Sequence, residues 1–483
     1  MHGTASGSTT TPPRACTRSN SFELVGGDDA RDDWDNLQAG FRVDHTPNAR
    51  DTLAVQGDVY TQDLSKYVER PTLTPPYTNR FLDSADASGA NLVGRWTRAL
   101  SDGGDIQVQV YVDRYDRTDQ YADQKVTTYD VDFQHRFTPR ERHEIVWGLG
   151  YRFTDQWVKG LGNALVTDED HENHLFSAFV QDEITLVPGR WTVVLGSKFE
   201  HNDFTGFEAQ PSARVVFKPE QRQTLWAAVS RAVRTPSVGE QVNIIPFVTI
   251  PPNTPPNFPN PLPLQLVNVG DQYDESVEQI AYEFGWRKDV SRTLSLDAAL
   301  YYTEYDNGRL AVPGASSVVV APAPHVQQLL QLVNGVNGET YGAELAAAWE
   351  LSDTTRLQLA YSHQRTFDHS DLVSDADFNE GSQPRNQLSL RVDTMLTPAL
   401  ELNLWGRYVD QLSGVNTASA REVTVPSYTE LDLQLTWRPQ PRVELSLVGR
   451  NLLNPSHQEF VQEAFTPPSE IERSVYGYVK VDF

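Results

Sequence analysis

From Val475 to Phe483 the chain alternates strictly, with Val475, Gly477, Val479, Val481 and Phe483 on one face and Tyr476, Tyr478, Lys480 and Asp482 on the other. Side chains of a β-strand point to opposite faces with period 2, so this is one amphipathic strand. The sequence stops inside that strand, on an aromatic residue, with no polar tail.

The same pattern recurs upstream. Leu294, Leu296, Ala298, Leu300 and Tyr302 alternate with Ser295, Asp297, Ala299 and Tyr301, and Leu431, Leu433, Leu435 and Trp437 alternate with Asp432, Gln434 and Thr436. From Trp34 to the end such segments run about 10 residues each, the length a tilted strand needs to cross a bilayer. Length alone suggests about three ordinary domains, but one repeating architecture replaces them. A soluble sandwich gives similar alternation, so the connections discriminate better.

Connections alternate between tight and long. Ser101–Asp105, Pro188–Arg190, Ser352–Thr355 and Pro439–Pro441 are short and rich in turn formers. Thr61–Ser88, Pro236–Glu275, Asn307–Gly338, Asp368–Pro384 and Asn454–Ser474 are long. Short periplasmic turns and long extracellular loops are the sidedness of an outer-membrane barrel. Trp191, Trp286, Trp349 and Trp437 all lie close to tight turns, where an aromatic girdle meets the membrane interface.

Composition fits this reading. Hydrophobic residues make up 39% of the chain and mean hydropathy is −0.48, values that look soluble. A barrel keeps average hydropathy low because polar side chains line its lumen. The net charge of −25 argues against a nucleic-acid partner. The single cysteine, Cys16, permits no internal disulfide.

About 19 strands are legible, whereas bacterial single-chain barrels have an even count. The first of them, Trp34–Asp44, descends into the turn His45–Asp51, as does the last strand, so an odd number is expected to be missing upstream. Residues 1–28 read as an irregular amino-terminal segment and residues 29–483 as the barrel. Met1–Asn20 lacks the apolar core of a signal peptide, so the sequence is expected to be a fragment or to have lost an upstream piece.

Several motifs resemble one family. Ala39-Gly40-Phe41-Arg42-Val43-Asp44 with Gln56-Gly57-Asp58-Val59-Tyr60 looks like an early barrel hairpin, and Ser230-Arg231-Ala232-Val233-Arg234-Thr235-Pro236-Ser237 like a mid-barrel signature. Thr340-Tyr341-Gly342-Ala343-Glu344-Leu345 resembles a later strand. Val448-Gly449-Arg450-Asn451-Leu452-Leu453-Asn454 with His457-Gln458-Glu459-Phe460 resembles the penultimate hairpin. Together they are similar to the TonB-dependent outer-membrane receptors, importers of ferric siderophores and similar bulky nutrients. The resemblance implies an all-β transmembrane antiparallel barrel of about 22 strands around a plug, with about 19 strands present and the plug and coupling box absent. It implies outer-membrane lipid, the barrel-assembly machinery and a ferric siderophore or similar ligand as partners, and TonB only if plug and coupling box are supplied. Val479, Val481 and Phe483 resemble the signal read by the assembly machinery.

No catalytic motif is legible: His143-Glu144 lacks a second histidine at zinc-protease spacing, and no phosphate loop or nucleophile elbow occurs. An enzyme is not expected, nor a cofactor, nor a metal site. The run Asp168-Glu169-Asp170-His171-Glu172-Asn173-His174 reads as a solvated loop rather than a cation site. Ligand contacts are expected in the outer loops. Arg70, Tyr77, Arg80 and Phe81 offer the cation and aromatic mix suited to an anionic chelate, and Phe247 and Phe258 lie in the Pro-rich segment Pro236–Pro263, expected to be stiff and exposed. The alternatives are a passive porin and a non-transporting remnant.

Overall fold

The computed structural model describes residues 14–19, 21–255, 257, 259–270, 275–372, 381–416, 421–460 and 465–481. Phe258 and Phe483 lie outside the described residues. Among those described, one antiparallel ladder runs in chain order from Arg14–Ser19 through Trp34–His45, Asp51–Pro71 and Thr78–Ala99 to Tyr428–Gln440, Val443–Arg450 and Ser474–Val481. Each strand segment expected from the alternation falls on a rung of this ladder.

Outward residues form the lipid face. Leu300, Leu345, Leu447 and Val479 are 53–65% exposed to the surroundings, while their strand neighbours point to polar partners inside. The Tyr301 hydroxyl, for example, donates to Gln364 Oε1 at 3.3 Å, and Gln434 Nε2 donates to the Tyr478 hydroxyl at 3.0 Å. Pairing from strand to strand along the ladder satisfies the backbone groups between neighbours, which a bilayer demands. Trp349 and Trp437 share the outward face with the leucines, next to the short turns, as an interfacial girdle requires.

Three expectations change. The segment 1–28 is not irregular throughout: Arg14–Ser19 pairs in register with Trp34–Ala39, and Glu23–Leu24 pairs with Ser469–Glu470. Among the described residues the added strand makes twenty along the ladder, whose two end strands there are Arg14–Ser19 and Ser474–Val481.

Two of the long connections are not loops. Asp51–Pro71 and Thr78–Ala99 stay paired up to Pro71 and Thr78, and Leu294–Val319 stays with His325–Ser352 up to Val319 and His325. Beyond the membrane no lipid face is imposed, so strict apolar alternation disappears while the backbone bonds that reward pairing persist.

The third change concerns Pro236–Pro263. It opens with a short helix, Val238–Val242, and continues as Asn243–Ile250, which pairs with Leu264–Val269. The flanks Ile244-Ile245 and Val248-Thr249-Ile250 are β-branched and form strands, whereas the prolines between lack the N–H needed to extend the ladder. Val248, Thr249 and Ile250 are 5–6% exposed, so this part of the segment is buried rather than a solvated cover.

Candidate functional site

The Asn243–Ile250/Leu264–Val269 hairpin is a strap. Asn243 and Ile244 pair with Val166 and Leu165, beyond the strand His143–Gly160, and Leu264–Val269 runs parallel to Val326–Gln331 on another part of the wall. The strap also packs against the upper end of Asp51–Pro71. It therefore ties together three stretches of wall at the extracellular end. Val68, Val158, Val238, Val242, Val267 and Leu310 are all 7% exposed or less, so the best-buried apolar residues include this knot at the mouth.

Local chemistry fixes the strap's root. Ser237 and Glu240 form a capping box, Ser237 accepting from the Glu240 amide and Glu240 accepting from the Ser237 amide at 2.8 Å. Arg234, closing the strand Gln223–Arg234, donates to Glu240 Oε1 at 2.5 Å, and Arg309 lies 3.7 Å from Glu240 Oε2. Burial pushes the Glu240 carboxyl up, but the hydrogen bonds from Arg234 and Ser237 outweigh it and hold it below its ordinary 4.5.

Beside the strap lies a polar cluster. Arg70 stands on the lumenal face with its guanidinium carbon 4.9 Å from the Phe81 ring centre, and its Nη2 donates to Gln120 Oε1 at 3.4 Å. Tyr121 packs its ring 4.4 Å from Phe465, and burial pushes its hydroxyl well above the ordinary range. Among the described residues, Arg70 Nε and Gln120 Nε2 are buried donors without a partner, and Asn163 Oδ1 a buried acceptor without one. Gly162, with φ of +65°, lets the chain pass: a Cβ there would meet Arg70 Nη2 at 2.8 Å. A cavity of about 220 Å³ between Tyr121, Gln124, Val158, Val238 and Asn243 adjoins the cluster.

Arg70 and Phe81, expected as ligand contacts, thus meet on the lumenal side. Arg80 does not join them, because one residue along the strand reverses the face; it is exposed and pairs with Glu69 at 2.6 Å. Tyr77 sits in the hairpin turn with φ of 70° and is half-buried. Phe247, half-buried, occupies the irregularity between Pro246 and Val248 in the strap. Gln120, Tyr121, Gly162 and Phe465 were not singled out by sequence, since they sit in separate connections with no shared motif. Lower in the lumen, Asp297, Glu344, Ser362, Arg407, Tyr428 and Glu459 line a hollow of about 510 Å³. At its rim, ligand atoms of Glu430, His457 and Glu459 lie within 4.8 Å of one another. Residues 168–174 form no such group, and the His171 Nε2 instead faces the Asp168 carbonyl at 2.9 Å.

A transmembrane β-barrel with an extracellular connection strapped between separate stretches of its own wall defines the class: an outer-membrane-type barrel. The family model described as "TonB dependent receptor-like, beta-barrel" matches residues 3–452. The chain belongs to that family, whose barrels are outer-membrane proteins. No curated protein matches the chain. Among solved structures it is similar to a mutant of the ferric enterobactin receptor PfeA of Pseudomonas aeruginosa, at 13% identity and TM-score 0.71, covering 98% of this chain and 72% of that one. It is similar in the same degree, 13% and 0.71, to the FrpB iron transporter of Neisseria meningitidis, covering 98% and 76%. The siderophore receptor PirA of Acinetobacter baumannii gives 13% and 0.69, covering 94% and 71%. At this identity the likeness speaks for the fold.

Proposed function

We propose that the protein is the barrel of an outer-membrane receptor that, when complete, takes up a ferric siderophore or similar bulky metal chelate, with the barrel-assembly machinery inserting it and TonB as energy-coupling partner once a plug and coupling box are supplied. The observation that carries this reading is the roofed mouth: the strap joins separate wall segments above a lumenal cluster in which Arg70 is stacked on Phe81 beside buried, unpartnered donors. A passive pore gains nothing from a mouth tied shut, whereas a receptor that must capture a scarce ligand before moving it does. An anionic chelate with aromatic groups matches a guanidinium, an aromatic ring and donors held away from water. It also needs such local attraction, because the chain as a whole carries −25. The roles named by the similar structures, siderophore reception and iron transport, point the same way.

The test is accumulation of radiolabelled iron by cells that lack their own receptors and express the full gene. Accumulation from a ferric chelate that requires TonB supports the reading. Diffusion-like entry of small solutes, with no chelate-dependent accumulation, overturns it.

A further inference from the structure

We propose that Glu430, His457 and Glu459 form a site for a divalent first-row transition-metal ion that staples the extracellular connection after Val443–Arg450 to the barrel wall. The three side chains come from two places. Glu430 stands on the lumenal face of Tyr428–Gln440, while His457 belongs to the short strand Ser456–His457, held by pairing of Ser456 with Glu472 and His457 with Ile471. Glu459 follows two residues later and reaches into the lumenal hollow.

The geometry suits an ion. One ligand atom from each residue lies within 4.8 Å of the others. His457 Nε2 is 3.1 Å from Glu459 Oε1, close to the spacing of roughly 3.3 Å that two bonds of about 2.0–2.1 Å make at a tetrahedral centre. Small side-chain rotations bring Glu430 in.

Burial makes the arrangement costly without a cation. Glu430 is 4% exposed and the His457 side chain 9%. The His457 ring lies 4.2 Å from the Tyr428 ring, and its Nδ1 is buried with no hydrogen-bond partner among the described residues. Arg407 pairs with Glu430, which orients the carboxylate toward the lumenal side. The carboxylates of Glu430, Asp432 and Glu459 against the single Arg407 guanidinium leave net negative charge around the imidazole, and a dication offsets it. One nitrogen and two carboxylate oxygens suit zinc and its neighbours better than calcium, which takes oxygen ligands, or copper(I), which favours sulfur.

This proposal stands apart from the uptake reading, since the staple is part of the resting protein and needs no chelate. Its test is calorimetric titration of the chelator-stripped, detergent-folded chain with zinc chloride, alongside His457→Gln and Glu459→Gln, each checked for heat-modifiable mobility. The expected result is one zinc per chain in the parent, weakened tenfold or more in both variants, with cobalt(II) giving ligand-field absorption in the parent alone. Glu459, whose side chain is 30% exposed, keeps the test decisive if His457→Gln does not fold. Equal zinc uptake by parent and Glu459→Gln, no uptake by the parent, or calcium bound as tightly as zinc would each overturn the assignment.

Discussion

Arg234 and Glu240 are joined at 2.5 Å where the strap leaves the wall, and the same Glu240 carboxylate accepts from the Ser237 amide and hydroxyl. One carboxylate thus ends a strand, starts a helix and anchors the mouth. Its folded pKa is lowered, so its contribution is complete above its ordinary 4.5 and is lost as pH falls through the lower folded value. Hydrogen exchange of 238–250 should therefore quicken as pH drops below about 4.5 beyond the intrinsic trend. Glu240→Gln should show fast exchange already at neutral pH and little further change. Identical protection in the two proteins at neutral pH contradicts the anchor.

Gly162 has to be glycine. Its φ of +65° and the 2.8 Å approach of Arg70 Nη2 to a would-be Cβ predict that Gly162→Ala costs roughly 1–2 kcal/mol locally. The expected outcome is faster protease nicking around 161–167 with unchanged heat-modifiable mobility of the barrel. Unchanged nicking removes the argument.

The two faces of one strand should respond oppositely to charge. Leu300 is 55% exposed on the lipid side, and arginine near mid-bilayer costs about 2–4 kcal/mol. Ala299, next to it, faces the lumen opposite Glu344. Leu300→Arg should sharply reduce the folded fraction in lipid vesicles, and Ala299→Arg should leave it near the parent value. Equal effects contradict the assigned faces.

Assembly should depend on the chain's end. Val479 and Val481 lie on the outward face of Ser474–Val481, 65% and 45% exposed, and Phe483 continues their alternation in the sequence. Deleting Phe483 should lower outer-membrane insertion several-fold, read as heat-modifiable protein in membrane fractions. Full insertion of the deletion variant removes this role.

Period-2 alternation made the membrane-crossing strands legible, because lipid on one face and lumen on the other impose it residue by residue. Arg14–Ser19 escaped since its sequence, Arg-Ala-Cys-Thr-Arg-Ser, has no apolar face. The extended hairpins escaped because no lipid face imposes apolar alternation on Thr61–Pro71 and Thr78–Ser88, and the inner side of Thr61–Pro71 packs against the strap instead, with Val68 1% exposed. The strap was hidden for a different reason. Its parallel pairing joins Leu264 to Val326, and its packing reaches Asp51–Pro71, contacts across long stretches of chain that no local period records. For the candidate site, residue type alone put Arg70, Arg80 and Phe81 forward together and could not show that Arg80, one position from Phe81, turns away to Glu69. The His457 and Glu459 ligand geometry needed Glu430 from another strand to become visible.

The central claim is that the strapped mouth binds an anionic ferric chelate through Arg70, and equilibrium binding of radiolabelled ferric catecholate to the folded protein measures it directly. The account predicts saturable binding, weakened tenfold or more by Arg70→Ala and unchanged by Arg80→Ala, whose guanidinium is committed to Glu69 on the outer face. Absence of saturable binding, or equal losses from the two substitutions, would contradict it.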